Sequence, residues 1–169
     1  RERRIAMNPS ELFRARLTTP AAAVAGLPSG AQIAMGMAVA EPPALLRALA
    51  DRVEAGTLTD LGLWYFHSLD HAGQTLLRYD LLDRVHPRCM FLSPVERALI
   101  RRGEADGRMP IEFVPVAFSE SSRLLSQRVA LDAFVTTVSP MDRNGWFTFG
   151  TSNDYGTTAA RCAGRLIVE

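Results

Sequence analysis

Short unbroken apolar runs alternate along this chain with longer segments in which apolar residues recur every three or four positions. The runs Ala31 to Met37, Leu61 to Phe66, Arg88 to Leu92, Ile111 to Phe118, Phe134 to Val138 and Arg165 to Glu169 have strand length, and several lack the polar alternation of a half-exposed strand. Such runs predict strands covered on both faces, as in a parallel sheet. Between them, Ala44 to Ala55 places Leu45, Leu46, Leu49 and Val53 on one helical face, and Gly56 stops it. Helices are also predicted over Ser10 to Leu17, Ala21 to Gly26, Thr75 to Val85, Val95 to Gly103 and Ser119 to Arg128. Thr19-Pro20 and Ser93-Pro94 supply the cap and first-turn proline of two of these. Near the end, Asn144-Gly145 predicts a turn, Trp146 to Phe149 a further strand, and the small polar residues after Gly150 a loop before a last helix. The alternation predicts an α/β fold: an open, mostly parallel sheet with helices on both faces.

Composition narrows the function classes. The 169 residues, 47% of them hydrophobic, suffice for one sizeable core, so a single domain over residues 1–169 is expected, with 1–29 as a leading helical segment. The net charge of +1 comes from interspersed acids and bases, which argues against nucleic acid as a partner. No run approaches the roughly 20 apolar residues of a bilayer span, and Arg1 to Arg4 lead into no hydrophobic signal core, so the expectation is no membrane and a cytoplasmic location. Every Lys or Arg position holds arginine, which removes lysine-based covalent chemistry and the phosphate-loop lysine. Cys89 and Cys162 lack metal or redox spacing and are read as buried thiols.

Two loops stand out as candidate chemistry. Gly36 to Pro43 leaves a predicted strand and enters a helix, the place where open α/β sheets hold ligands, although a plain connection would look the same. Ser152, Asn153 and Asp154 could hold a ligand or simply cap the following helix. Glu41 and Glu120 sit at strand-to-helix junctions, where a carboxylate could act as a nucleophile or serve the helix dipole. His67 and His71 have a spacing a metal could use on a helix, but a third ligand is not evident, so no metal is expected. Gly150-Thr151-Ser152 is not a nucleophile elbow, because Asp154 stands where the second glycine belongs.

The stretch Ser139 to Gly156, S-P-M-D-R-N-G-W-F-T-F-G-T-S-N-D-Y-G, resembles a signature of the acetyl-CoA hydrolase/transferase family of class I CoA-transferases. Ile33 to Ala48 and Ile111 to Leu125 resemble further phrases of that family, in the same order and spacing. The resemblance is to the N-terminal half of a two-domain fold. It implies coenzyme A as a substrate with no permanently bound cofactor, and an acyl-CoA and a small carboxylate as partners. It also implies a nucleophilic glutamate supplied by a C-terminal half or second subunit, in a homo- or hetero-oligomer. Substrate contact is implied for Gly36, Met37, Ala38, Glu41 and Pro42 of the first loop, and for Ser152, Asn153, Asp154 and Tyr155 of the second. No catalytic nucleophile is assigned within the chain. Acyl-CoA hydrolysis on the same scaffold, and a non-catalytic interaction module, remain as alternatives. Because Arg165 to Glu169 reads as a strand with no turn after it, the chain is expected to stop inside an element, with the catalytic domain absent.

Overall fold

The computed structural model of the protein describes residues 8–169, so the arginine-rich stretch Arg1 to Arg4 lies outside the described residues. Six parallel strands form one sheet: β1 (Gln32–Met35), β2 (Leu61–Tyr65), β3 (Val85–Cys89), β4 (Glu112–Phe113), β5 (Ala133–Thr136) and β6 (Arg165–Val168). Their order across the sheet is β4-β3-β2-β1-β5-β6. The helices are α1 (Pro9–Arg16), α2 (Pro20–Val24), α3 (Pro43–Glu54), α4 (Asp70–Gly73), α5 (Pro94–Ala105), α6 (Ser121–Arg128) and α7 (Gly156–Cys162).

The central strands explain their unbroken apolar runs, because successive side chains enter two different cores. Ile33 and Met35 of β1, with Leu61, Leu63 and Tyr65 of β2, pack with α2, α3 and the inner side of α5. Ala34 of β1 and Phe134 of β5 point the other way, into a smaller core with Leu125 of α6 and Ala159 of α7. Helices therefore cover both faces.

Local signals hold where they are self-sufficient. Thr19 caps α2 by accepting from Ala22 N, and Ser93 with Glu96 closes a capping box at α5. Other expectations are overturned by tertiary contacts. Thr75 to Val85 is not a helix: it is a series of turns around a short 3-10 segment at Tyr79–Leu81, and Val85 already begins β3. Its leucines Leu76, Leu77, Leu81 and Leu82 are all buried, so the segment follows the shape of the core rather than a helical face. The strand expected over Ile111 to Phe118 pairs only at Glu112 and Phe113, since Pro115 has no amide to donate on this edge. Trp146 to Phe149 joins no sheet. β6 occupies the place beside β5, and this segment folds back on its own loop, with Ser139 N donating to Thr148 O and Asp142 N to Trp146 O. The loop leans on α1, where Phe13 and Phe147 rings meet at 5.9 Å.

Cys89 is buried as expected, but Cys162 is exposed, because the C-terminal turn of α7 faces solvent. Among the described residues no helix is long and apolar enough to cross a membrane.

Candidate functional site

The strand order reverses direction between β1 and β5: β2, β3 and β4 extend to one side of β1, while β5 and β6 extend to the other. The connection leaving β1 runs to α3 on one face, and the helix that follows β5, α7, lies on the other. A crevice must open between them at the carboxyl ends of the strands, the usual ligand position in such sheets. It is present, with a volume of about 420 Å³, between Met37, Ala38 and Val39 after β1 and Thr151, Ser152, Asn153 and Asp154 before α7, with Phe118 as a further wall.

The β1–α3 loop owes its course to Gly36. A Cβ on Gly36 would lie 2.4 Å from Ala40 O and 2.5 Å from Thr136 Oγ1, so only glycine lets the loop close onto the end of β5. Ala40 O accepts from Thr137 N at 3.0 Å and from Thr136 Oγ1 at 3.3 Å, fastening that closure. Ala38 then takes a left-handed conformation, φ 51°, unusual for a residue with a Cβ, and its amide donates to His67 O at 3.1 Å.

Five of the nine residues singled out by the sequence, Met37, Ala38, Ser152, Asn153 and Asp154, line one cleft. The other four do not line it. Gly36 and Pro42 are buried in the backbone turn that shapes it. Glu41 is 2% exposed, and its two oxygens accept from Leu69 N at 2.6 Å and Ala72 N at 3.1 Å, at the start of α4. Burial pushes its pKa up to about 7 against the opposing pull of those amides, and Glu96 and Asp70 add to the rise. Tyr155 is fully buried, its phenol donating to Met35 O.

Asp154 is partly buried. Its Oδ1 accepts from Tyr155 N at 2.6 Å, while Oδ2 is buried without a partner, and burial raises its pKa above the usual carboxylate range. Asn153 Oδ1 accepts from Thr157 N and Thr157 Oγ1, so this residue caps α7 and lines the cleft at once. The other candidate carboxylate, Glu120, lies apart in a shallow depression with Arg123, to which it is ion-paired at 2.5 Å.

Sequence reading missed Val39, Phe118 and Thr151. Val39 is 73% exposed and Phe118 50%, which an apolar side chain bears only where the chain turns it outward, and no local pattern announces that. Phe118 belongs to an aromatic group with Phe66, at 4.8 Å, and Phe91, which stacks on His67 at 5.6 Å. His67 lies before α4 begins at Asp70, so the two histidines do not share a helical face. Among the described residues, no group of three or more His, Cys, Asp and Glu side chains could hold a metal ion.

Residues 3–169 match the model of the acetyl-CoA hydrolase/transferase N-terminal domain. The chain belongs to this family. It is 30% identical over 157 residues to a succinyl-CoA:cyclohexane-1-carboxylate CoA transferase of Geobacter metallireducens, covering 93% of this chain and 33% of that protein. It is 26% identical over 164 residues to a 4-hydroxybutyrate coenzyme A transferase of Clostridium kluyveri, covering 96% and 36%. The crystal structure of RipA from Yersinia pestis superposes with a TM-score of 0.93 at 48% identity, covering 96% of this chain and 38% of that one. The chain thus spans about a third of the length of the curated relatives it matches.

Proposed function

We propose that this chain is the N-terminal domain of a CoA-transferase that moves CoA between an acyl-CoA and a free carboxylate. The observation that carries the reading is the cleft at the β1/β5 reversal in a chain of this family, walled by apolar Met37, Val39 and Phe118 and by polar Thr151, Ser152, Asn153 and Asp154. That lining suits an uncharged acyl chain against the apolar side, with hydroxyl and amide groups facing the thioester end.

A glutamate carboxylate attacks the thioester carbonyl and CoA thiolate leaves, giving an acyl-glutamyl anhydride. The thiolate then attacks the glutamyl carbonyl, releasing the acyl group as its carboxylate and leaving a glutamyl-CoA thioester. An acceptor carboxylate reverses both steps. Glu41 is an unsuitable nucleophile, being buried and engaged by two amides, and Glu120 lies outside the cleft. As the family resemblance implies, the reactive glutamate is assigned to a further domain or a partner subunit, with coenzyme A entering as substrate. This chain's share is to hold the acyl group and exclude water from its apolar side.

The test is mass spectrometry on the complete protein, given an acyl-CoA and an isotopically labelled second carboxylate. Labelled acyl-CoA, together with a CoA adduct on a glutamate outside residues 1–169, supports the reading. Free CoA accumulating without labelled acyl-CoA replaces it with hydrolysis, and neither product overturns it.

A further inference from the structure

Behind the cleft residues Met37 to Val39, two loops meet over a buried carboxylate. Leu69 N and Ala72 N, in the segment that follows β2, both donate to Glu41, which belongs to the loop that follows β1. Beside them Ala38 N donates to His67 O, so three hydrogen bonds join the β1–α3 loop to residues 67–72. The same segment is held from below by a second buried acid. Glu96, on α5, accepts from Ser68 Oγ and from Ser93 N, and Ser68 and Ser93 hydroxyls lie 3.1 Å apart.

What this bracing holds in place is cleft wall. Ala38 lines the cleft with its backbone in the left-handed region, a conformation that persists only when surrounding bonds dictate it. On the other loop, Phe66 packs edge-on against Phe118, itself a cleft-lining residue, and His67 stacks on Phe91. Removing the tie at Glu41 would leave Ala38 N to His67 O as the one remaining of these three bonds, with less to hold Ala38 and the Phe66–Phe118 contact at a fixed spacing.

We propose that Glu41 is a positioning residue that locks these two loops at one spacing and thereby sets the length of acyl chain the cleft accepts. The inference rests on the reading of this cleft as the acyl site. A glutamine at position 41 keeps the shape but offers one acceptor oxygen where two amides need partners, leaving one buried donor facing another.

Two measurements on the complete protein separate the alternatives. In the first, amide exchange in E41Q is followed by mass spectrometry; protection of residues 66–73 falls about tenfold or more while α3 and the central strands keep theirs. In the second, E41Q raises KM about tenfold for a four-carbon acyl-CoA, less than about threefold for acetyl-CoA, and leaves kcat within about twofold. A residue that merely stabilised the fold would affect both substrates alike. Unchanged exchange in residues 66–73, or equal losses on the two acyl-CoAs, overturns the proposal. If E41Q does not accumulate folded, E41D carries the same test, because it keeps the charge but is one methylene too short to reach both amides. If the wild-type protein turns over no acyl-CoA while E41Q still loosens residues 66–73, the acyl-site reading falls and the loop tie stands by itself.

Discussion

The phenol of Tyr155 donates to the carbonyl oxygen of Met35 at 2.5 Å, joining the residue before α7 to the last residue of β1 across 120 positions of sequence. Both ends of this bond are buried, and it fixes the polar wall of the cleft to the strand from which the apolar wall departs. Replacing Tyr155 with phenylalanine keeps the ring against Phe134 but removes a donor from a buried carbonyl. The expected cost is about 1 to 3 kcal/mol. Chemical denaturation with an unchanged m-value checks it.

Gly36→Ala is a more severe change. The added methyl would sit 2.4 Å from the backbone oxygen of Ala40, which cannot swing aside as a side chain could. Overpacking of this kind costs about 1 to 3 kcal/mol, at the upper end where the neighbour is backbone. A lowered thermal midpoint is expected, whereas Gly56→Ala, with open space around it, strains only its φ of 70°. If Gly36→Ala melts with wild type, the close approach at the end of β1 is wrong.

Glu41 gives stability a dependence on pH. Its pKa rises from 4.5 to about 7 on folding, so the unfolded chain releases this proton first. Its contribution is therefore fully present below about pH 4.5, declines as pH rises, and is lost above about pH 7. The slope in that window is at most about 1.4 kcal/mol per pH unit from this group. Comparing denaturation of wild type and E41Q from acid to neutral pH checks the sign: the variant's stability should fall less over this interval.

The two cysteines should differ in reactivity. Cys162 is exposed, while Cys89 is buried and its thiol is pushed up to about 12 by burial and the nearby Glu96. A thiol reagent should modify Cys162 in the native protein before Cys89, at a rate held down because partial burial raises the Cys162 thiol too, and should reach Cys89 only on unfolding. Peptide mapping should place the first-modified site at Cys162.

What the sequence determined by itself was whatever depends on neighbouring residues. The apolar runs at Ile33, Leu63 and Phe134 demand cover on two faces, Thr19-Pro20 and Ser93-Pro94 start helices by satisfying their own first amides, and Asn144-Gly145 turns because Gly145 can take φ 85°. From these the α/β class was legible, and so were two loops that turn out to share a cleft. Only the tertiary structure decided which strands became neighbours, and with them the reversal between β1 and β5 that opens the cleft. It also kept Trp146 to Phe149 out of the sheet and drew Leu76 to Leu82 into turns, since the available edge and the shape of the core are set by distant residues. The direction of Glu41 belongs to the same class. A carboxylate at a strand-to-helix junction looks poised for solvent, yet two amides at Leu69 and Ala72 would lack partners without it, and that need arises only once β2 has packed beside β1.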